Sequence, residues 1–135
     1  VRSTGRLIKQ EDGRRMRFPG MLPLVQGMGV TLESHGISQV SMNLRDVAQC
    51  PMHVAFEACK SIAADHGIVA TGSELVGLVP LSAMLESGAW YAAEGTTDEP
   101  SLVEAAINGL GLSGLEPFLP DERIIEYALK EAMNK

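Results

Sequence analysis

The chain has 135 residues, of which 45% are hydrophobic and 21% charged, with a formal net charge of −6. That length supports one domain with a real core but not two, and no apolar run reaches the roughly 18 residues that a bilayer-spanning helix needs. Two cysteines, Cys50 and Cys59, are too few for a disulfide framework and read as reduced thiols of a cytoplasmic protein. Aromatic residues make up 4% of the chain and methionines number seven, so the expected core is aliphatic. The N-terminus has no charge-then-apolar secretory pattern. It begins at Val1 within a polar segment, and the chain is expected to be one part of a larger protein.

Charge is unevenly placed. Arg2, Arg6, Lys9, Arg14, Arg15 and Arg17 lie in the first seventeen residues, whereas the remainder holds five basic and fifteen acidic residues. A basic leader can be a nucleic-acid arm, but no aromatics are interleaved for base stacking and the body is acidic. A solvated helix end plus loop is the plain reading, and an acidic ligand or neighbouring domain is the functional one.

Residues 2–12 are expected to form a short helix gripped by Leu7 and Ile8 and ended by Gly13, before the turn signal Phe18-Pro19-Gly20. Residues 22–32 and 37–45 then read as a β-hairpin, because Gln39, Ser41 and Asn43 alternate with Val40, Met42 and Leu44. Pairing Val30 with Val40 and Met28 with Met42 would put Gly27 and Gly29 beside Ser41 and Asn43 on the polar face. A slip of one residue would mix the faces. Pro51 opens a helix whose stripe is Met52, Ala55, Phe56, Cys59, Ile62 and Ala63, with Gly67 as a left-handed cap. The continuous apolarity of residues 68–78 suggests a strand buried on both faces, with Glu74 as an odd acid inside it.

Pro80 then starts a helix with Leu81, Met84 and Leu85 inward and Gly88 near its end. Residues 94–100 form a polar linker. Helices are expected near residues 101–108 and 121–133, the latter with Asp121 and Glu122 at its start and Lys130 near its end, as the helix dipole favours. Helix, hairpin, helix and strand in this order make an α/β chain of the α+β two-layer kind. It is a ferredoxin-like β-α-β-β-α-β unit lacking its first strand, with additional C-terminal helices. The apolar face of its sheet would be helix-covered, and the face bearing Gln39, Ser41 and Asn43 left open to solvent, a ligand or a second domain.

No metal site is expected. His53 and His66 stand thirteen residues apart, roughly 20 Å along a helix, and no His, Cys and Asp spacing resembles a zinc site. Gly72 and Gly77 have phosphate-loop spacing, but Leu78-Val79 follows where Lys and Ser or Thr are required. An acid in an apolar strand costs several kcal/mol unless it is paired or at an edge. Glu74 is therefore either a structural acceptor or faces a site.

Two strings, Gln39-Val40-Ser41-Met42-Asn43-Leu44 and Thr71-Gly72-Ser73-Glu74-Leu75-Val76-Gly77-Leu78-Val79-Pro80, resemble in order and spacing the C-terminal subdomain of glutamate formiminotransferases. The intervening helix does too. Gly111-Leu112-Ser113-Gly114-Leu115-Glu116-Pro117-Phe118 and Glu122-Arg123-Ile124-Ile125-Glu126-Tyr127 are similar to the family's tail. The resemblance implies two α/β subdomains facing each other across a folate-binding tunnel. It also implies transfer of a formimino or formyl group between N-formimino-glutamate and tetrahydrofolate, in histidine breakdown.

The family's acid/base histidine lies in the N-terminal subdomain, and none of His35, His53 or His66 matches it, so no catalytic residue is expected here. On this reading the whole chain, 1–135, is one C-terminal subdomain, inactive alone. Its partners would be the N-terminal subdomain, tetrahydrofolate as co-substrate and further copies of itself, with no metal, nucleic acid or membrane. Gln39, Ser41, Asn43, Gly72, Ser73 and Glu74 are the expected folate-binding residues. Family members often carry Lys after Val-Pro-Leu, where Ser82 stands here, so a contact to the acidic folate tail would be lost or taken over by Arg14, Arg15 or Arg17. A non-catalytic ligand-binding or assembly module of the same fold is the alternative.

Overall fold

The computed structural model of the chain describes residues 8–15 and 20–135. Among these residues there are two strands, β1 (Val25–Leu32) and β2 (Ile37–Leu44), joined by a 3₁₀ turn over Glu33–His35. Five helices follow: α1 (Met52–Asp65), α2 (Leu81–Tyr91), α3 (Glu99–Gly109), α4 (Pro120–Arg123) and α5 (Ile125–Met133). No helix among the described residues is long and apolar enough to cross a membrane. The mixed α/β composition agrees with the α+β class.

The hairpin forms, but its register is the slipped one. Val30 pairs with Gln39, Met28 with Ser41, Gly29 with Val40 and Gly27 with Met42. The reason lies in the turn, where Glu33–His35 winds into 3₁₀ helix and Gly36 closes it at φ 62°. This makes a four-residue loop, one longer than the expected register needs. Met42 touches Cys59 of α1, with the two sulfurs 3.7 Å apart, so the face of Met42, Leu44, Gly27 and Gly29 is turned to the helix. Gln39, Ser41 and Asn43 do share the opposite face, but beside Met28 and Val30 rather than beside glycines.

The α1 helix forms as expected and buries Met52 and Ala55 of its apolar stripe, but Ile62, in its last turn, is 44% exposed. The Asp46 carboxylate accepts from the Ala48 and Gln49 amides at 3.1 and 3.3 Å, tightening the turn that delivers Pro51 as N-cap. Gly67, at φ 69°, ends the helix as a left-handed cap should. In α3, Asp98 caps by accepting from the Ser101 amide at 3.0 Å; hydrogen bonds from Ser101, side chain first and backbone second, hold this carboxyl below its usual range.

Three further expectations fail. Residues 8–12 are not a helix: Lys9 bridges Arg15 in antiparallel fashion across a turn in which the Gly13 amide donates to the Gln10 carbonyl at 2.9 Å. Residues 2–7 lie outside the described residues.

Residues 68–78 are not an interior strand. They join no ladder among the described residues, and Ile68, Val69, Val76 and Leu78 are 61%, 82%, 92% and 58% exposed. Apolarity suits a run to burial, but a strand needs neighbours, and β1–β2 is the only sheet among the described residues. The third failure is the single C-terminal helix. Ile124, extended at φ −92° and ψ 123°, divides α4 from α5 because Val79 captures it in a parallel bridge: the Val79 amide donates to Arg123 and the Ile125 amide to Val79.

The core accordingly belongs to the helices. Met52, Val79, Ala83, Met84, Val103, Ala106, Leu110, Leu112 and Ile124 form one buried cluster, onto which Leu44 packs from the end of β2. Its aliphatic character is as composition requires. α2 and α3 approach closely at Gly88, where even a methyl group would collide with the Leu102 backbone.

Candidate ligand-binding cleft

The segment after residue 70 is fixed by a backbone crossing. A Cβ on Gly72 would lie 2.7 Å from the Gly111 carbonyl oxygen, and one on Gly111 would lie 2.8 Å from the Gly72 Cα. Both positions therefore need glycine, and Gly111 is also at φ 60°. Close approach, not a phosphate cradle, explains the Thr-Gly-Ser string. Ser73 is then tied down twice: its amide donates to the Gly111 carbonyl at 3.1 Å and its hydroxyl to the Leu110 carbonyl at 2.5 Å.

The next residues are held from the other side. The Arg123 guanidinium, through Nη2, donates to the Leu75 carbonyl, while its buried Nε has no partner among the described residues. Between these anchors lies a cleft of about 390 Å³. Leu75, Leu112 and Phe118 supply apolar wall, Glu74, Glu116 and Glu122 supply exposed carboxylates, and Ser73 and Arg123 supply hydrogen-bonding groups. With three acids to one guanidinium, the cleft suits a group that presents N–H donors beside an apolar surface. Since the Ser73 hydroxyl proton is already committed to Leu110, that oxygen can only accept from a ligand.

The expected site residues therefore separate. Gly72, Ser73 and Glu74 are at the cleft, with Gly72 shaping the backbone behind it. Gln39, half-buried, and Ser41 and Asn43, exposed, sit on the hairpin face turned away from α1 and do not line it. Glu116, Glu122 and Arg123, within the strings 111–118 and 122–127, also line the cleft although they are not among the expected site residues. Nothing in their spacing marked them, because they meet Ser73 only through the Val79–Ile124 bridge and the glycine crossing.

The histidines do other work. The His53 ring is buried, with Nδ1 3.3 Å from the Ser87 hydroxyl, stacked on Trp90 at 5.2 Å and edge-on to Tyr91. Burial lowers its pKa below 6.5, against the opposing pull of Glu86 and Glu57. The Tyr91 hydroxyl donates to Glu57 at 2.9 Å, and desolvation followed by that bond pushes its pKa far up. His66 donates through Nδ1 to the Ile62 carbonyl at 2.9 Å, and His35 Nδ1 lies 2.9 Å from the Ser34 hydroxyl in the hairpin turn. None of the three lines the cleft.

Cys50 is buried, and Cys59 is half-buried with its thiol pKa raised by burial. Among the described residues no group of three His, Cys, Asp or Glu side chains is placed to hold a metal. Arg14 and Arg15 line a separate, open hollow at the N-terminal turn, and Arg17 is outside the described residues. Ser82 is exposed in the first turn of α2. The N-terminus of that helix is served by Glu126, whose carboxylate accepts from the Leu81 amide at 2.7 Å.

The formiminotransferase domain profile matches residues 1–130. The chain belongs to the formiminotransferase domain family. It is 40% identical over 126 residues to the formimidoyltransferase-cyclodeaminase of Mus musculus, a match covering 91% of this chain and 23% of that protein. The Gallus gallus formimidoyltransferase-cyclodeaminase is 40% identical over 124 residues, 90% of this chain and 23% of that protein. The glutamate formimidoyltransferase of Thermoplasma acidophilum is 32% identical over 85 residues, 63% of this chain and 28% of its own length. The chain thus spans about a quarter of the curated relatives it matches. Within the formiminotransferase domain it supplies the Ser73 cleft and the polar hairpin face as two separate surfaces.

Proposed function

We propose that this chain is the folate-binding half of a glutamate formiminotransferase. It holds tetrahydrofolate while a formimino group, or a formyl group, passes between N-formimino-glutamate and the folate in histidine degradation. The observation that carries the reading is the convergence of residues 73–75, 112–118 and 122–123 on one apolar, carboxylate-edged cleft in a chain of this family. A reduced pterin is flat and rich in N–H donors, and Glu74, Glu116, Glu122 and the Ser73 oxygen are acceptors. The glutamate tail of folate is anionic, and those same carboxylates repel it. The pterin end therefore enters the cleft and the tail points out of it.

Gln39, Ser41 and Asn43 form a second hydrogen-bonding surface for the co-substrate. The chain is a single C-terminal subdomain in a cytoplasmic enzyme. It positions and does not catalyse, since its three histidines are occupied in turns, helix carbonyls and the Trp90 stack. The N-terminal subdomain is the partner that brings the acid/base group, and further copies of the enzyme complete a homo-oligomer. Isothermal titration with tetrahydrofolate in the presence of that subdomain tests the reading. Glu74→Gln and Glu122→Gln together are expected to weaken binding at least tenfold, while no heat of binding from the wild-type pair would refute it. The exposed apolar run at residues 68–78 favours a second reading, a non-catalytic assembly module, which predicts association without folate binding.

A further inference from the structure

Tyr91 ends α2 and Gly109 ends α3. A Cβ built on Gly109 would run into the Cγ, Cδ1 and Cδ2 atoms of the Tyr91 ring, so the ring lies on the bare Cα. Gly109 is not one of the glycines at positive φ, and glycine inside a helix is unfavourable beside alanine. The ring, not the backbone, is what requires glycine here. Tyr91 is held from its other sides as well. Its hydroxyl donates to Glu57 on α1 at 2.9 Å, and Glu57 pairs with Lys60 at 3.3 Å. Trp90 meets the ring at right angles with centroids 4.8 Å apart, within the range aromatic pairs prefer.

Gly109 directly precedes the two residues that hold the serine of the cleft. The Leu110 carbonyl accepts from the Ser73 hydroxyl and the Gly111 carbonyl from the Ser73 amide, and Gly111 also makes the backbone crossing with Gly72. The place of Ser73 therefore follows the end of α3, against which the Tyr91 ring is seated. Tyr91 itself does not line the cleft. We infer that Tyr91 is a positioning residue for the cleft: its ring seats the 109–111 turn, and its hydroxyl ties that turn to α1. Hydrogen-bonding groups at a site work only when their support holds them in place. Loss of the ring thus displaces the Ser73 oxygen without removing any group that meets the ligand. The effect on affinity rests on the reading that the cleft takes tetrahydrofolate, whereas the effect on Ser73 does not.

The test pairs two measurements on the full chain: titration of tetrahydrofolate with the N-terminal subdomain present, and amide hydrogen exchange of Ser73 in the ligand-free chain. The Val79 amide donates to the Arg123 carbonyl, not to the 109–111 turn, and serves as the control on the same segment. Tyr91→Leu is expected to weaken tetrahydrofolate binding at least tenfold and to speed Ser73 exchange at least tenfold relative to Val79. Tyr91→Phe keeps the ring on Gly109 and should hold both within threefold of the wild type. Met84→Ala, which empties a core shared by Val79 and Leu110, should lower the melting temperature yet leave the ratio of the two exchange rates unchanged. If Tyr91→Leu does not fold, Gly109→Ala presses on the same contact from α3 and is expected to give the same two changes. The inference is overturned if Ser73 and Val79 speed up alike, as a merely structural tyrosine would make them. It is equally overturned if Tyr91→Leu leaves affinity unchanged while the wild-type pair binds. No binding by the wild-type pair removes the folate reading instead, and the ratio of exchange rates then still decides the role of Tyr91.

Discussion

Gly88→Ala should unsettle the whole helical core. The new Cβ would stand 2.0 Å from the Leu102 carbonyl oxygen, 2.6 Å from its carbonyl carbon and 3.1 Å from its Cα. Non-bonded contacts settle near 3.5–4.0 Å between carbons, so α2 and α3 must part by more than about 1 Å. The obstacle is backbone, and no side chain can swing aside to relieve it. Overpacking costs about 1–3 kcal/mol, and the upper end applies where a helix must move. Replacing glycine by alanine inside a helix returns about 1 kcal/mol. The net is a loss of about 2 kcal/mol, or a fall in Tm of roughly 6–10 °C for a domain of this size. Thermal unfolding followed by circular dichroism reads it directly, with Ser82→Ala on the exposed side of the same helix as a control that changes little. A G88A chain melting at or above the wild-type temperature would refute the close α2–α3 packing.

Met84→Ala, at a side chain with 0% exposure, should cost about 2–5 kcal/mol by urea denaturation. Gly72→Ala should strike the Gly111 carbonyl and pull Ser73 from Leu110. Folate affinity then falls further than global stability does, and equal losses would argue against the crossing as the anchor of the cleft. His53 is held below its unfolded pKa of 6.5 by burial. The unfolded state therefore takes up a proton first as pH falls, and the stabilisation from the neutral ring, full above 6.5, is lost as pH drops toward the folded value. Stability measured from pH 7.5 downward should fall in the wild type and flatten in His53→Gln until carboxylates titrate. The Tyr127 hydroxyl, raised to about 12 by desolvation and its bond to Glu99, should ionise in a spectrophotometric titration well above an exposed tyrosine, and Glu99→Gln should lower that pKa.

Local chemistry was legible where a single residue decides it. Pro51 and Gly67 bound α1 as their backbone preferences demand, and the apolar spacing of α1 and α2 pointed to Met52, Ala55 and Met84. What the sequence hid was set by a second partner. The hairpin register turned on whether Glu33–His35 would wind once more before Gly36, a choice no alternation pattern records. Residues 68–78 have strand-like composition, but a ladder depends on a neighbour that none of the described residues provides. The break at Ile124 is invisible in a helix-like run because Val79, forty-five residues earlier, imposes it. The cleft was half visible for the same reason: Ser73 and Glu74 stood out as polar groups in an apolar run. Arg123, Glu116 and Glu122 looked like ordinary surface charges until the Gly72–Gly111 crossing brought them opposite.

On the proposed function, this chain holds folate for chemistry done by groups of the N-terminal subdomain. Formimino transfer from N-formimino-glutamate to tetrahydrofolate, assayed with the chain alone, with the N-terminal subdomain alone and with the two together, tests it most directly. Turnover is expected only in the mixture, and Glu74→Gln with Glu122→Gln should act mainly by raising KM for tetrahydrofolate. Turnover by this chain alone, or a mixture that binds folate no better than the N-terminal subdomain does by itself, would contradict it.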